Sequence, residues 1–334
     1  MPSSLRIDRR DRTMDDLSRF CCLNSECPDH GKRGAGNLTV ISRHGPGKAR
    51  RMLRCRTCKG RFSERKGTPL FKDVHDELVA ISPFTTEVQF DEKWAFVAKK
   101  EANCDRSDPA DDHKGDSWDH VALDPEHRLV VAVVPGARTI ENTESRVEDF
   151  HRRTQGRVMN LMTSDDYPAY ETAILPTYGE TITPPRTGKP GRPKAPYRAA
   201  PPGLTYATVT KRPEEGRVVE VGTRVVFTVA LALGLSRVSR AINTAFVRRQ
   251  NATDRPRDAR KARKTYRFSK DWRYHEAVTF LSLYSDNFSW PVRTLSIKDD
   301  QGRRRQRSPA MAAGLTDHMW SMSEWLTFPA VQHR

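Results

Sequence analysis

Two groups of acids stand in runs that otherwise read as buried strands. Residues 88–97, VQFDEKWAFV, mix β-branched and aromatic side chains with Asp91 and Glu92, the composition of a strand packed on a core. Residues 160–170, NLMTSDDYPAY, end an apolar run at Asp165 and Asp166. A buried carboxylate is costly unless it is hydrogen-bonded, ion-paired or bound to metal. Two strand-borne acids far apart in sequence therefore suggest one shared divalent-metal site, an arrangement that serves phosphoryl transfer. The alternative is that Asp91 is a strand-edge acid facing solvent, and spacing alone does not separate the two.

A second constellation lies nearer the N-terminus. Cys22 and Cys27 form a C-x4-C pair, and Cys55 and Cys58 a C-x2-C pair, with a strand-like NLTVIS between them. Zinc takes four ligands in a tetrahedron, and close pairs on two turns deliver them, so these four are the expected ligands of a structural Zn²⁺ in a zinc ribbon. Cys21 could stand in for Cys22, and His30 is a remoter substitute; free thiols or a disulfide compete with the zinc assignment. Cys104 is isolated and reads as a plain thiol. Arg50, Arg51, Arg54, Arg56, Lys59, Arg61, Arg65 and Lys66 surround the second pair, and a basic ribbon suits a nucleic-acid contact.

The elements that must position these residues follow in order. Residues 1–19 are polar and read as a mobile tail, 20–72 as the ribbon and 73–87 as a linker. Residues 88–97, 117–123 and 129–134 predict a three-strand meander. A helix is expected over 139–153, a fourth strand over 158–163 running on to Asp165, and a helix opening at Pro168. Residues 184–203 hold seven prolines and five basic residues, so an extended segment is expected there, a plain basic linker in the first place and, as the alternative, one whose Arg192 enters a narrow minor groove. Residues 206–210 and 217–229 read as two further strands. Helices are expected over 236–250 and 271–284. The basic, then amphipathic end from residue 291 carries Trp320, Trp325 and Phe328 for docking on the core.

Charge narrows the partner. Lys and Arg total 58 against 42 Asp and Glu, a formal charge of +16, which favours a polyanion. The charge is clustered: Arg248, Arg249, Arg255, Arg257, Arg260, Lys261, Arg263, Lys264 and Arg267 share one stretch with only Asp254 and Asp258. Such a face could meet several phosphates and release their counterions. The longest apolar stretch, VVFTVALALGL over 225–235, is too short to span a bilayer. MPSSLRIDRRDR lacks the apolar core of a secretory leader, so no membrane association and a cytoplasmic, nucleoid-associated location are expected.

Taken together, RCRTCKGRFSERKGTPLF, FDEKWAFVAKK, NLMTSDDYPAY, INTAFVRRQNATDRPRDARKARKTYRFSK and MAAGLTDHMWS, in this order, carry a resemblance. The chain resembles the insertion-sequence-one type of bacterial DDE transposase over most of residues 20–332. The resemblance implies an RNase H-like α/β domain over 88–290, with a mixed five-stranded sheet and helices on both faces, preceded by the ribbon. It places a Pro-rich basic insertion, about 179–235, outside that sheet. It also implies cleavage and joining of double-stranded DNA, transposon ends and target, with two Mg²⁺ or Mn²⁺ ions, by a protein that could act as a homo-oligomer. Asp91 matches the first acid of the triad and Asp165 the second. Arg54, Arg56, Lys59, Arg61, Arg192, Arg249, Arg255, Arg257, Arg260, Lys261, Arg263 and Lys264 are the expected DNA contacts.

The chain departs from that pattern twice. The third acid, a Glu in the family, is here Arg248, a permanent cation with no lone pair for a metal. Its expected substitute role is an ion pair with Asp91 or Asp165. Asp254 is a nearby acid, but it is expected to lie beyond the helix and not to compensate. Between the ribbon and the first strand only Lys72 to Phe90 remain, too few for the helix-turn-helix region that family members usually carry. Both departures imply DNA affinity that outlasts DNA cutting.

Overall fold

The structure is a computed structural model that describes residues 17–18, 20–24, 26–44, 50–63, 85–185, 194–215, 217–227, 230–262 and 264–327. The tail before residue 17, most of the 73–87 linker, Arg65, Lys66, Arg192, Arg263 and Phe328 lie outside the described residues. The chain divides into two compact units, Met1–Val74 with Thr327–Arg334, and His75–Leu326.

In the first unit, β1 (Leu38–His44), β2 (Arg50–Cys55) and β3 (Arg61–Ser63) form an antiparallel sheet in that order. So small a sheet cannot bury a large core. Leu38, Leu53 and Phe62 close around Cys22, Cys27 and Cys55 instead, and the sulfurs form part of the apolar interior.

The second unit is built on β4 (Glu87–Val97). β4, β5 (Gly115–Asp124) and β6 (Leu129–Gly136) make the expected antiparallel meander. Helix α1 (Ile140–Arg153) follows, started by Thr139, whose hydroxyl accepts from the Asn142 amide. β7 (Leu161–Asp165) then pairs parallel to β4, and α2 (Ala169–Tyr178) follows it. Two short strands, β8 (Glu180–Ile182) and β9 (Tyr197–Ala199), pair antiparallel, and β9 lies inside the Pro-rich stretch 184–203. β10 (Tyr206–Glu214) runs parallel to β7, and β11 (Arg217–Phe227) returns antiparallel to β10. The short α3 (Ala230–Leu235) precedes α4 (Ala245–Arg257) and α5 (Trp272–Ser289).

The resulting sheet is mixed and six-stranded, in the order β11-β10-β7-β4-β5-β6. Five strands were expected, with residues 179–235 outside the sheet. Residues 206–227 instead extend it, because Tyr206, Ala207, Thr208 and Val209 are buried and align with Met162 to Asp165 of β7. Helices cover both faces. On one, Phe90 of β4 packs edge-on against Phe150 of α1 and stacks on Tyr170 of α2. On the other, the alternate residues Gln89, Asp91 and Lys93 face α4, as period-two geometry requires.

Helix α4 starts nine residues later than the 236–250 expectation. The Ser236 hydroxyl accepts from the amides of Val238 and Ser239, and the Asn243 side chain accepts from the Ala245 amide. Such local bonds offer the backbone an alternative to the helix. The helix then runs on through Asp254, which was expected beyond its end. α5 runs five residues past its expected end, and Trp320 and Trp325 pack on its Phe288 at 4.9 and 5.2 Å between ring centroids. None of the helices among the described residues is long and apolar enough to cross a membrane.

Candidate active site and metal centre

The four cysteines converge. Their sulfurs all lie within 4.8 Å of one another, with Cys22 and Cys58 at 3.5 Å and Cys27 and Cys55 at 3.9 Å. A tetrahedral zinc with Zn–S bonds of about 2.3 Å sets its sulfurs about 3.8 Å apart, so the set fits Zn²⁺. None of the four is in a disulfide. Cys22, not Cys21, belongs to the cluster, and His30 forms a backbone bridge to Cys22. The second pair sits on a tight turn in which Lys59 takes the left-handed φ of 61°. The Gly60 amide bonds to Cys58 and lowers its thiol to about 7, which favours a thiolate ligand. A zinc with four thiolates carries net negative charge. Arg56, Lys59 and Arg61 stand exposed on the same strands and turn, with Arg54 half-buried.

In the second unit, β4 and β7 bring the two acids together. Phe90 pairs with Ser164 in the parallel register, so Asp91 and Asp165 occupy the next positions on neighbouring strands. They are close enough for their charges to interact: burial first, then the Asp165 charge, pushes the Asp91 carboxyl up to about 6. Asn251 of α4 opposes this by donating to Asp91 Oδ2 at 2.8 Å.

Asp165 is held differently. Arg248 forms an ion pair with its Oδ2, and Lys211 of β10 lies 3.5 Å from its Oδ1. The Thr244 hydroxyl donates to the same Oδ1 at 3.0 Å. Thr244, Arg248 and Asn251 stand on successive turns of one helix face, which is why a single helix serves both acids. The ion pair expected for Arg248 therefore forms with Asp165 rather than Asp91. As they stand, these side chains do not fit a two-metal site. Among the described residues the pair is Asp91 and Asp165 alone, and Asp165 is already met by two cations, one of them the guanidinium of Arg248. Neither neighbouring acid repairs this. Glu92 points to the opposite face, where it accepts from Tyr170 and pairs with Arg138 and Arg146. Asp166 turns away to Thr208 and Arg224.

Asp254 is also committed. It pairs with Lys93, which lies 3.2 Å from Asp119, and Asp119 is 2.5 Å from Lys261. All four side chains are fully buried. Burial pushes the Lys93 ammonium down to about 8 against the pull of Asp119. Burial also raises the Asp119 carboxyl, but the Lys261 and Lys93 charges outweigh it and hold the group well below the usual range. Two cations and two carboxylates thus balance in a water-poor layer beneath α4. Sequence reading missed this layer. The polar positions 89, 91 and 93, at period two inside an apolar strand, were the visible sign of it.

The expected basic face is only partly a face. Arg249, Arg257, Arg260 and Lys264 are exposed and Arg255 is half-buried. Lys261, expected to contact DNA, is instead a core residue, 3% exposed, because it neutralises Asp119. Arg257 is tied to Asp286 at 2.8 Å.

No family model, curated protein or solved structure matches this chain.

Proposed function

We propose that this chain is a DNA-binding protein on the scaffold of an insertion-sequence-one type DDE transposase, with an RNase H-like sheet whose strand-cutting chemistry Arg248 silences. The observation that carries this reading is the Arg248–Asp165 ion pair. Residue 248 reaches the acid pair from α4, which is where a third carboxylate would have to stand to complete it. The mixed sheet supports the RNase H-like part of the reading. Its first acid lies on the central strand, and its second lies at the end of the fourth strand of the fold, directly alongside. The zinc-fitting ribbon with Arg56, Lys59 and Arg61, and the exposed Arg249, Arg260 and Lys264 of the second unit, supply cations for phosphates. Loss of one carboxylate from such a triad, and gain of a cation in its place, costs several kcal/mol of transition-state stabilisation, about a thousandfold or more in rate.

The test is nicking of supercoiled plasmid in Mg²⁺ or Mn²⁺, with duplex binding measured alongside over a salt series. The expected result is duplex binding that weakens steeply with salt, no nicking by the chain as it stands, and nicking by Arg248→Glu that Asp91→Ala abolishes. Asp91-dependent nicking by the unaltered chain would overturn the silencing argument. Absence of duplex binding at low salt would overturn the DNA reading.

A further inference from the structure

The flank of α4 turned away from the acid pair closes a second site. With the β5–β6 turn and residues 290–294 it encloses a cleft of about 580 Å³, within the size range of small-ligand and nucleotide sites. Its walls alternate guanidinium and aromatic planes. The Arg128 guanidinium lies 3.8 Å from the centroid of Phe246, and that of Arg257 lies 4.4 Å from the centroid of Trp290. Arg249 and Arg293 complete the lining.

The charge in this cleft is not balanced. Asp286 is the one acid in the lining, and it is taken by Arg257 at 2.8 Å. Arg128, Arg249 and Arg293 have no carboxylate partner among the described residues, so three positive charges are left over. Arg128 is held in place at some cost. Its backbone takes a left-handed φ of 58°, uncommon for a residue with a side chain. Its Nη1 is buried with no hydrogen-bond partner, a donor whose desolvation is unrepaid. Burial lowers its proton affinity, and the neighbouring Arg249 charge lowers it further, against the pull of Asp124. Trp290 meanwhile keeps 46% of its surface exposed.

An unsatisfied guanidinium, surplus positive charge and a half-open indole are complementary to a phosphate beside an unstacked base. Double-stranded DNA presents phosphates but keeps its bases stacked inside. Single strands present both, and they are gripped by aromatic platforms beside cations. We propose that this cleft binds single-stranded DNA, with one base against Trp290 and the flanking phosphates on Arg128, Arg249 and Arg293. The choice of DNA as the polymer rests on the DNA-binding reading above; the requirement for an unpaired base comes from the cleft itself.

The full-length protein is titrated with labelled oligothymidylate, with a hairpin duplex of equal length and with free thymidine monophosphate. Anisotropy and tryptophan fluorescence are both read. The expected result is tight binding of the single strand with quenched tryptophan emission. Trp290→Ala should weaken that binding about tenfold, as loss of one stacking platform does, and Arg128→Gln by a similar factor. Duplex affinity should change less than twofold in both variants, and both should keep the far-ultraviolet circular dichroism of the parent. Single-strand affinity that neither variant alters, with duplex binding intact, overturns the cleft assignment alone. Equal weakening of single strand and duplex overturns the unpaired-base requirement. Saturation by free mononucleotide at the same concentrations overturns the polymer. Failure to bind either strand form removes the DNA reading and this site with it.

Discussion

Replacing Asp91 by Asn should stabilise the folded protein at neutral pH. Asp91 is buried beside Asp165, and these two effects lift its carboxyl from 3.8 to about 6. Each unit of that shift corresponds to about 1.4 kcal/mol, so ionised Asp91 costs the fold up to ~3 kcal/mol. Partial solvent contact reduces this, and about 1–2 kcal/mol is the expected gain from the neutral amide. The bond from Asn251 survives, because the amide oxygen of the variant still accepts from Nδ2. The sign follows from proton binding. Between 3.8 and about 6 the folded state holds a proton that the unfolded chain has released, so stability falls as pH rises through that window. The Asp91→Asn advantage should therefore vanish near pH 4 and be complete above pH ~6.5. Urea unfolding of parent and variant, in chelator, at about pH 4 and pH 7.5 measures it. A variant no more stable at pH 7.5, or equally favoured at both values, would show that Asp91 is not strained by burial and its neighbour.

Asp254→Asn should act in the opposite direction, because it leaves Lys93 and Lys261 sharing Asp119 in a buried layer. A loss of about 3 kcal/mol is expected at pH 7, shrinking near pH 9, where Lys93, already lowered to about 8, can shed its proton; denaturant titrations at the two pH values test this. Cys55→Ser or a strong zinc chelator should remove one zinc per chain by elemental analysis and unfold the ribbon. The unfolding transition of His75–Leu326 should remain, since that unit has its own core.

Much of this architecture was legible because it depends on local pattern. The meander, α1 and β7 follow from alternation and helical spacing near to hand, and the cysteine pairs announce their own convergence. What escaped depends on partners distant in the chain. Lys261 reads as one more cation in a basic run; only Asp119, 142 residues earlier, makes it a core residue. β11 carries exposed Val218, Val219, Val221 and Val225, and nothing local says which neighbour such a strand joins. The late start of α4 turned on side-chain bonds from Ser236 and Asn243, which compete with helix formation without breaking the apolar periodicity. The position of Arg248 could be read from sequence, but its choice of Asp165 over Asp91 depended on the helix phase set by Thr244 and Asn251.

The ladder between β4 and α4 also sets a timetable. Gln89, Asp91 and Lys93 reach partners 154 to 161 residues later in the chain. A ribosome adding about 5–20 residues per second leaves those three polar side chains waiting on the order of 10–30 s. The meander of β4, β5 and β6 can close during that interval, since its contacts are near in sequence, but one face stays uncovered until α4 emerges. Loop closure over such a distance is slow relative to local pairing. The acid pair that β4 and β7 bring together is thus covered late, by a helix that cannot dock until the chain has been made as far as Arg257.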